Sequence, residues 1–398
     1  MGVSRARGVR CAPGGKCARG GRRARTERPS AAGSATTGRY TSDSWSTANY
    51  RPPAAGSSTT GDSPPRSGRR AIASRSSRSR SADTFARWPT ASTPSPAPTP
   101  GFDLLVEDEL CHPSLVGHNR AVDAPVVAVV HHLRASERWS AWRKRLYRAV
   151  ERRYLRTTDA AVYASDATRR AAEELAGPRP SVVARPAGDR FDPDIDRETI
   201  AARADRDPFR VVFVGNVVPR KGLGVLLDGL ARVSGDWHLS VVGSESADPE
   251  YARRVRERAR DLGLAESVRF EGRVPDRALA DRLGESHLLA VPSAYEGYGI
   301  VYLEGMGFGL PALATAAGGA AELVTHGEDG FLVPPDDPEA IAAAVETLRS
   351  DRDRLREASL AARRRFERHP GWDESMATAR RFLEAVGATS DPAEEVRP

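Results

Sequence analysis

From Val211 to Pro334, short apolar runs alternate with segments long enough to form helices. The runs are "VVFVG" (211–215), "HLSVVG" (238–243), "VRFEG" (268–272), "HLLAVPS" (287–293), "PALAT" (311–315) and "GFLVP" (330–334). Strands that are apolar along their whole length are buried on both faces, as in parallel sheets covered by helices. The pattern therefore predicts a doubly wound α/β domain, which we expect over residues 209–366.

A second α/β region precedes this one and is expected over residues 101–195. Its predicted elements are strands in "FDLLVED", "APVVAVVHHL" and "DAAVYAS", with helices over 137–155 and 166–176. The segment 183–209 is rich in Pro, Asp and Arg and is predicted to be a linker between the two domains. A last amphipathic helix over 372–388 is expected to brace them.

Residues 1–100 differ from the rest in charge and in complexity. They hold 18 of the 60 Lys and Arg residues but only 4 of the 53 Asp and Glu residues, so the remainder of the chain is net acidic. Arg, Ser, Ala, Gly, Pro and Thr dominate this segment, and large apolar residues are too few to offset the entropy of ordering. We predict a disordered segment, either a solvated tail or an Arg/Ser arm that binds nucleic acid. The acidic charge of the remaining chain argues against nucleic acid as a partner of the folded body.

The remaining global features suggest a cytoplasmic protein. The three cysteines, Cys11, Cys17 and Cys111, form neither a CxxC pair nor a metal-ligand spacing. No apolar run is long enough to span a bilayer, and no secretory signal is recognisable at the start.

Two cations follow the first strand of the 209–366 domain. In "VVFVGNVVPRKGLGVLLDGL", Arg220 and Lys221 stand directly before a predicted helix. Positive side chains are unfavourable there, because the N-terminus of a helix already carries partial positive charge. An anion held between the loop amides and these side chains would resolve the conflict, and a diphosphate fits best. A solvated basic turn is the alternative.

Two carboxylates lie eight residues apart in "PSAYEGYGIVYLEGMGFGLP". Glu296 ends a loop after a strand, and Glu304 lies on the following, largely apolar helix, where a carboxylate requires a partner. Gly297 and Gly299 allow a ligand to approach the backbone closely. Paired carboxylates suit a hydroxyl-rich ligand, while two solvated surface residues are the alternative reading.

Together, these segments resemble a known family. "FVGNVVPRKG", "VRFEG", the Glu296–Glu304 pair and "GGAAELV" followed by "HGEDGFLV" are similar, in that order, to the retaining glycosyltransferases of family 4. The resemblance covers residues 101–388 and is strongest over 209–340. It implies the GT-B architecture of two Rossmann-like domains, with the N-terminal one incomplete here.

The resemblance also implies roles for matching residues. Arg220 and Lys221 would hold the donor diphosphate, Glu304 the ribose hydroxyls, and Glu296 the donor sugar. A histidine on the N-terminal side, either His131 or His132, would reach the donor sugar. The full implied donor-binding set is Gly215, Arg220, Lys221, Phe270, Gly272, Glu296, Gly297, Gly299, Ile300 and Glu304, with Glu296, His131 and His132 as the catalytic candidates.

The implied substrates are a nucleotide-diphosphate sugar and a glycan or lipid-linked acceptor, with neither a metal nor a cofactor. Over 137–155, Trp139, Trp142, Leu146, Val150 and Tyr154 form one helical stripe among basic residues. Such a helix either packs its apolar face on the domain or lies on an anionic membrane. The second reading would place the protein at the inner face of the membrane.

Residues 1–100 depart from the family, whose N-terminal domain opens with a strand and a glycine-rich loop. One hypothesis is that this segment is an out-of-frame translation, or follows from a wrong start, joined to an authentic remainder. The main reading is a retaining glycosyltransferase that transfers a sugar from a nucleotide-diphosphate sugar to a glycan or lipid-linked acceptor. The alternative, if the chain exists as written, is a protein that binds the donor without catalysis, since its acceptor side would be incomplete. A nucleic-acid-associated protein led by the Arg/Ser arm remains a further alternative.

Overall fold

The computed structural model describes the backbone of residues 72–75 and residues 102–388. These residues form two parallel α/β domains, so the predicted fold class is confirmed.

The first domain is a sheet whose described strands run in the order β1-β2-β3-β4-β5, all parallel. The strands are Ile72–Arg75 (β1), Leu104–Asp108 (β2), Val126–Val130 (β3), Ala160–Tyr163 (β4) and Ser181–Val183 (β5). Its helices are His112–Leu115 (α1), Ala141–Leu155 (α2) and Asp166–Ala176 (α3).

Both faces of this sheet are apolar, as the sequence pattern requires. On β3, Val127 and Val129 face one way, and Ala128 and Val130 belong to the core on the other face. The first face is covered by the last helix of the chain, Trp372–Ala388 (α12), and the second by α2 and α3. Alternate residues of a strand point to opposite faces, which is why one apolar run serves two cores.

The second domain is a sheet with strand order β11-β10-β9-β6-β7-β8. Its strands are Phe209–Val214 (β6), Trp237–Val242 (β7), Val268–Gly272 (β8), Leu288–Ala290 (β9), Ala312–Thr315 (β10) and Gly330–Val333 (β11). The accompanying helices are Arg197–Arg203 (α4), Leu223–Leu230 (α5), Pro249–Asp261 (α6), Asp276–Glu285 (α7), Ile300–Gly307 (α8), Ala320–Leu323 (α9), Pro338–Ser350 (α10) and Arg352–Arg368 (α11).

The strand order of the second sheet reverses direction between β6 and β9. From β6 the chain proceeds outward through β7 and β8, then returns to add β9, β10 and β11 on the other side. In an open parallel sheet the loops on either side of this switch point diverge and leave a crevice at the carboxyl ends of the strands. The loops after β6 and β9 are therefore where a ligand site is expected.

Three sequence expectations are wrong in part. The strand β1 pairs in parallel with β2, so Ile72–Arg75 is ordered within the stretch predicted to be disordered; the rest of residues 1–100 lies outside the described residues. The predicted linker contains α4, which packs against α11. Arg203 at the end of α4 is fully buried and donates to Phe308 O and Gly309 O, which anchors this helix in the second domain.

The helix predicted over 137–155 begins at Ala141, so Trp139 lies before it. Its apolar stripe does not form one buried face. Tyr154 is fully buried, whereas the side chains of Trp142 (63%) and Leu146 (39%) are exposed. Helical periodicity identifies residues that share a face, but only tertiary packing decides how far along the helix that face is covered.

Candidate functional site

The loop after β6 brings Lys221 back toward the strand it follows. Residues Pro219–Lys221 form a 3₁₀ turn, and Gly222 enters α5 with a φ of 73°, in the left-handed region. A Cβ atom on Gly222 would lie 2.1 Å from the carbonyl oxygen of Pro292, which belongs to the loop after β9. Glycine is therefore required where the two loops of the switch point touch.

Glu296, on the loop after β9, meets both cations of the loop after β6. Its Oε1 lies 2.6 Å from Lys221 Nζ, and its Oε2 lies 3.6 Å from Arg220 Nη1. Ser293 also donates to Glu296 Oε1, at 2.6 Å. The structure thus brings together three of the predicted site residues and adds Ser293, for which the sequence carried no signal.

The charge of Glu296 is fixed by this environment. Burial raises the pKa of the carboxyl, but the nearby charges of Lys221 and Arg220 outweigh burial and bring the pKa down to about 2. A group that remains ionised at every physiological pH does not exchange protons during a reaction. Glu296 is therefore suited to accept hydrogen bonds from hydroxyl groups and to stabilise positive charge, and unsuited to act as a general acid.

Glu304 lies on α8, behind this cluster, and is also buried. Its Oε1 lies 3.7 Å from Nη1 of Arg190, which belongs to the segment between the two sheets. Burial raises the pKa of Glu304, and the charge of Arg190 lowers it only in part. The partner that a buried carboxylate requires is thus Arg190, a residue that sequence reasoning missed because nothing in the local pattern distinguishes it.

The glycine-rich turn before α8 is packed against the first domain. Gly299 has a φ of 101° and lies immediately before Ile300, the first residue of α8. A Cβ atom on Gly297 would lie 2.6 Å from His131 O and 2.8 Å from His132 Cβ. Ser165 Oγ donates to Gly297 O at 2.8 Å. The close approach predicted for Gly297 is thus occupied, in this structure, by the backbone of the other domain.

The two histidines at the end of β3 have different partners. His131 Nε2 lies 3.6 Å from Asp108 Oδ1; burial lowers the pKa of His131, but Asp108 outweighs it and the net shift is upward. His132 Nε2 lies 2.9 Å from Glu137 Oε1, and the same oxygen lies 4.0 Å from Arg220 Nε. Through Glu137, a residue not predicted from sequence, His132 is linked across the cleft to the cation loop.

Three other predicted residues lie along the same edge of the second sheet. Gly215, at the end of β6, would place a Cβ 3.3 Å from Lys221 Cε, so the absence of a side chain makes room for the lysine stem. Phe270, on β8, has the guanidinium of Arg256 4.4 Å above its ring. Gly272 ends β8 with a φ of 68°. Phe270 and Gly272 lie on β8, two strands away from β6. Only an elongated ligand could contact both these two residues and the Arg220–Lys221 loop after β6.

The loop "GGAAELV" also joins the two domains. Cβ atoms on Gly318 and Gly319 would lie 2.0 Å from Glu296 O and 2.3 Å from Gly297 O, so only glycine lets this loop support the Glu296 turn. Four residues later, Glu322 accepts from Ala167 N at 2.6 Å and Asp166 N at 3.2 Å, at the N-terminus of α3. A carboxylate is favourable at that position because it complements the partial positive charge of the helix end.

In the described stretch 102–388, no three or more His, Cys, Asp and Glu side chains are grouped to hold a metal ion. No helix among the described residues is both long and apolar enough to cross a membrane.

A family model connects this site to known proteins. Residues 194–365 match the model described as glycosyl transferases group 1. This range contains Arg220, Lys221, Glu296 and Glu304, the cluster built at the switch point.

Curated relatives agree with the family model over part of their length. A D-inositol 3-phosphate glycosyltransferase of Thermomonospora curvata is 36% identical over 197 residues, which cover 47% of this chain and 44% of that protein. A GDP-mannose-dependent alpha-(1-6)-phosphatidylinositol monomannoside mannosyltransferase of Mycobacterium tuberculosis is 34% identical over 257 residues, 59% of this chain and 64% of that protein. The chain thus spans about half to two thirds of the length of these relatives.

Solved structures extend the similarity to both domains. A sucrose-phosphate synthase from Thermosynechococcus elongatus superposes with a TM-score of 0.64 at 23% identity, over 73% of this chain and 75% of that chain. The Anabaena protein Alr3699/HepE, solved in complex with UDP-glucose, superposes with a TM-score of 0.60 at 22% identity, over 72% of this chain and 79% of that chain. At these identities the similarity establishes the fold. The chain therefore has the GT-B architecture, and its residues 194–365 match the model of the glycosyl transferases group 1.

Proposed function

We propose that this protein is a retaining glycosyltransferase of family 4 that transfers a sugar from a nucleotide-diphosphate sugar to a glycan or lipid-linked acceptor. The observation that carries the proposal is the contact of Lys221 and Arg220 with the permanently ionised Glu296 at the topological switch point. Cations and a fixed anion side by side suit a donor whose phosphates are negative and whose sugar becomes positive as the glycosidic bond breaks.

Each residue then has a distinct task. Arg220 and Lys221 bind the diphosphate and stabilise the charge that develops on the leaving nucleotide. Glu296 accepts hydrogen bonds from the donor sugar and stabilises its positive charge. Glu304 accepts hydrogen bonds from the ribose hydroxyls, and Phe270 and Gly272 flank the base. No metal or cofactor enters this scheme, because the two cations already neutralise the phosphates.

The donor phosphates must displace existing contacts. In the structure Lys221 is bound to Glu296, and Arg220 lies between Glu296 and Glu137. On donor binding, Arg220 and Lys221 therefore exchange carboxylate partners for phosphate oxygens. Glu137 then loses its contact with Arg220, which changes the electrostatic environment of His132 on the opposite domain. This gives the N-terminal domain a means to respond to the donor.

Donor turnover tests the proposal. Release of the nucleoside diphosphate and stabilisation against heat are measured with UDP-glucose and GDP-mannose, the donors suggested by the structural and sequence relatives. Lys221→Met is expected to abolish both signals. Arg253→Met is the matched control, because Arg253 is an exposed cation on α6, outside the donor cluster.

Three outcomes separate the alternatives. Turnover supports the transferase. Stabilisation by a donor without turnover identifies a donor-binding protein that does not catalyse, the alternative that follows from an unusual N-terminal quarter. The absence of turnover and of stabilisation with both UDP-glucose and GDP-mannose refutes the proposal.

The acceptor side of the proposal places α2 on an anionic membrane surface at the cytoplasmic side. Trp142 and Leu146 are exposed one helical turn apart. Seven basic residues of the helix and its C-cap have no carboxylate within 4 Å among the described residues: Arg143, Lys144, Arg145, Arg148, Arg152, Arg153 and Arg156. The single acidic residue of the helix, Glu151, is buried and accepts from Arg134 N.

The basic face continues beyond the helix. Arg120 joins Arg152, Arg153 and Arg156 around an open cavity of about 620 Å³. Unpaired positive charge beside exposed tryptophan is the combination that binds anionic lipid headgroups. A lipid-linked acceptor would then be met at the surface where it resides.

Vesicle flotation tests this part. Binding is expected with vesicles containing phosphatidylglycerol and not with pure phosphatidylcholine. Trp142→Ala combined with Leu146→Ala should weaken binding severalfold, whereas Arg253→Ala on the distant helix α6 should not change it. Equal flotation of the double variant and the unaltered protein would refute the proposal that α2 binds the membrane.

A further inference from the structure

Arg190 reaches the buried Glu304 from the segment that joins the two domains. One guanidinium nitrogen, Nη1, lies 3.7 Å from Glu304 Oε1, and the other is hydrogen-bonded to Asp276 at the start of α7. The guanidinium also lies 5.1 Å from the centre of the Phe191 ring. Within the part of the chain that the structure describes, no other cation lies within 4 Å of Glu304.

The two residues before Arg190, Gly188 and Asp189, are each held in place by a contact with another element. A Cβ atom on Gly188 would lie 2.4 Å from Leu303 Cβ, so the segment is pressed against α8 immediately beside Glu304. Asp189 Oδ2 accepts from Trp372 N at 3.1 Å, at the first residue of α12. Two short contacts therefore hold the segment on α8 and α12, and the arginine that follows them has little choice of direction.

The surroundings of Glu304 do not favour a charge. The side chain is buried on α8, between the apolar residues Leu303 and Met306, and burial raises the pKa of its carboxyl. Asp276 on α7 raises the pKa further, and only Arg190 lowers it. A carboxylate can accept hydrogen bonds on both oxygens, whereas a protonated carboxyl has lost part of that capacity. Binding of two vicinal hydroxyl groups therefore requires the anion.

We propose that Arg190 is a positioning residue for Glu304: its guanidinium supplies the counter-charge that holds the carboxylate as an anion directed at the ribose of the donor nucleotide. The proposal rests on the proposed function for the identity of the ligand. It adds that donor affinity depends on a residue of the interdomain segment, outside the loops at the switch point, so the segment that connects the domains also tunes the donor site.

The test compares three variants of the full-length protein. Arg190→Gln removes the charge at similar length, and Arg190→Lys retains it. Arg197→Gln is the matched control, because Arg197 lies farther along the same segment and pairs with Glu367 at the surface. Affinities for UDP, GDP and their 2′-deoxy analogues are measured by calorimetry between pH 6 and 9. The carboxyl carbon of Glu304 is titrated by ¹³C NMR and assigned with Glu304→Gln.

In Arg190→Gln we expect the pKa of Glu304 to rise by about one unit or more, and the affinity for the ribonucleotide at pH 7 to fall by about tenfold. The loss should diminish as pH rises, because the anion returns above the new pKa. The preference for ribose over 2′-deoxyribose should decrease in Arg190→Gln and largely persist in Arg190→Lys. A purely structural role for Arg190 would not change that preference selectively.

The outcomes distinguish the two proposals. If the unaltered protein binds nucleotides, but Arg190→Gln leaves both the Glu304 titration and the ribose preference unchanged, the role of Arg190 is refuted and the proposed function stands. If the unaltered protein binds no nucleotide of the panel, the proposed function fails, and with it the assignment of Glu304 to a ribose. An elevated Glu304 pKa together with a lost ribose preference supports both.

Discussion

Glu296 of the second domain and Glu151 of the first are both buried, but their pKa values shift in opposite directions. In the second domain, Glu296 is surrounded by two cations, and its pKa falls to about 2. In the first domain, burial raises the pKa of Glu107, Glu109 and Glu151, that of Glu151 to about 7, with only hydrogen bonds and distant charges to oppose it. The difference shows that burial alone does not determine whether a carboxyl group is charged. The number of cations in contact with the group decides it.

The contrast has a functional consequence under the proposed mechanism. In the donor half, Glu296 stays ionised beside Lys221 and Arg220 at any physiological pH. The other half contains Glu151, whose pKa of about 7 makes it change charge near neutrality; its Oε1 accepts from Arg134 N, two residues after His132. Substitutions in the two regions should therefore change the free energy of unfolding by different amounts and with a different dependence on pH.

The largest effect is expected from Lys221→Met. It leaves Glu296 buried with Arg220 as its only cation, and breaking one side of a buried ion pair costs about 3 kcal/mol of unfolding free energy. Denaturant unfolding at pH 7 measures it. The double variant Lys221→Met with Glu296→Gln should recover much of the loss, because no uncompensated charge remains. A single variant as stable as the unaltered protein would show that the donor region does not depend on its charge balance.

The next effect concerns Glu151→Gln and depends on pH. The pKa of Glu151 is higher in the folded than in the unfolded protein, so the folded state binds more protons between about pH 4.5 and 7, and stability falls as pH rises through that window. Removing the titration should reduce this fall by about 2 kcal/mol between pH 5 and 8.

Unfolding curves collected at intervals across that range measure the difference. Glu174→Gln, on the exposed side of α3, is a control that should retain the slope of the unaltered protein. Parallel stability curves for Glu151→Gln and the unaltered protein would contradict the protonated state assigned to the first domain.

A smaller effect is expected where the two regions meet. Glu322 accepts two backbone N–H groups of α3, and its Oε2 lies 3.9 Å from Arg185 Nε. Glu322→Ala should therefore reduce stability by about 1 kcal/mol. It should also increase hydrogen exchange at Asp166 and Ala167, which mass spectrometry of peptides from α3 can detect. Unchanged exchange would mean that Glu322 does not hold the domains together.

The smallest effect on stability is expected for Trp142→Ala combined with Leu146→Ala. Both residues are exposed at the surface, so the free energy of unfolding should change by less than about 0.5 kcal/mol. The comparison would be sharpened by this result, because the same double variant is expected to bind anionic vesicles severalfold more weakly. A large loss of stability would instead indicate that this face is packed in the folded protein.

Much of the second domain could be predicted from its sequence. The strands VRFEG and GFLV lie where the apolar runs indicate, and α5 begins one residue after the glycine expected to open it. In contrast, β5 has only three half-buried residues and β1 lies in an Arg- and Ser-rich stretch, so neither has an apolar run that a sequence pattern can detect. Short strands such as these are stabilised by pairing with a neighbouring strand, and their own residues carry no pattern that predicts this pairing.

The site shows the same division. The sequence indicated Arg220, Lys221, Glu296 and Glu304 through glycine-flanked loops after strands and through a charge on an apolar helix. It could not indicate Arg190 or Glu137, since each acts through a contact with a residue far away in the chain. Ser293 contacts Glu296 only three residues away, but a serine before a loop glutamate is not by itself a signal of a site. Nor could it tell that His131 pairs with Asp108 while His132 pairs with Glu137.

The sequence by itself determined the alternation of buried strands and helices, because apolar periodicity depends only on neighbouring residues. It also determined which loops carry charge and glycine. The tertiary structure decided the charge states of Glu296 and Glu304, the partner of each histidine, and the exposure of Trp142 and Leu146. These properties depend on burial and on charges brought within a few ångströms by the fold, and distances between segments remote in sequence are set only when the sheets and their crossing helices pack.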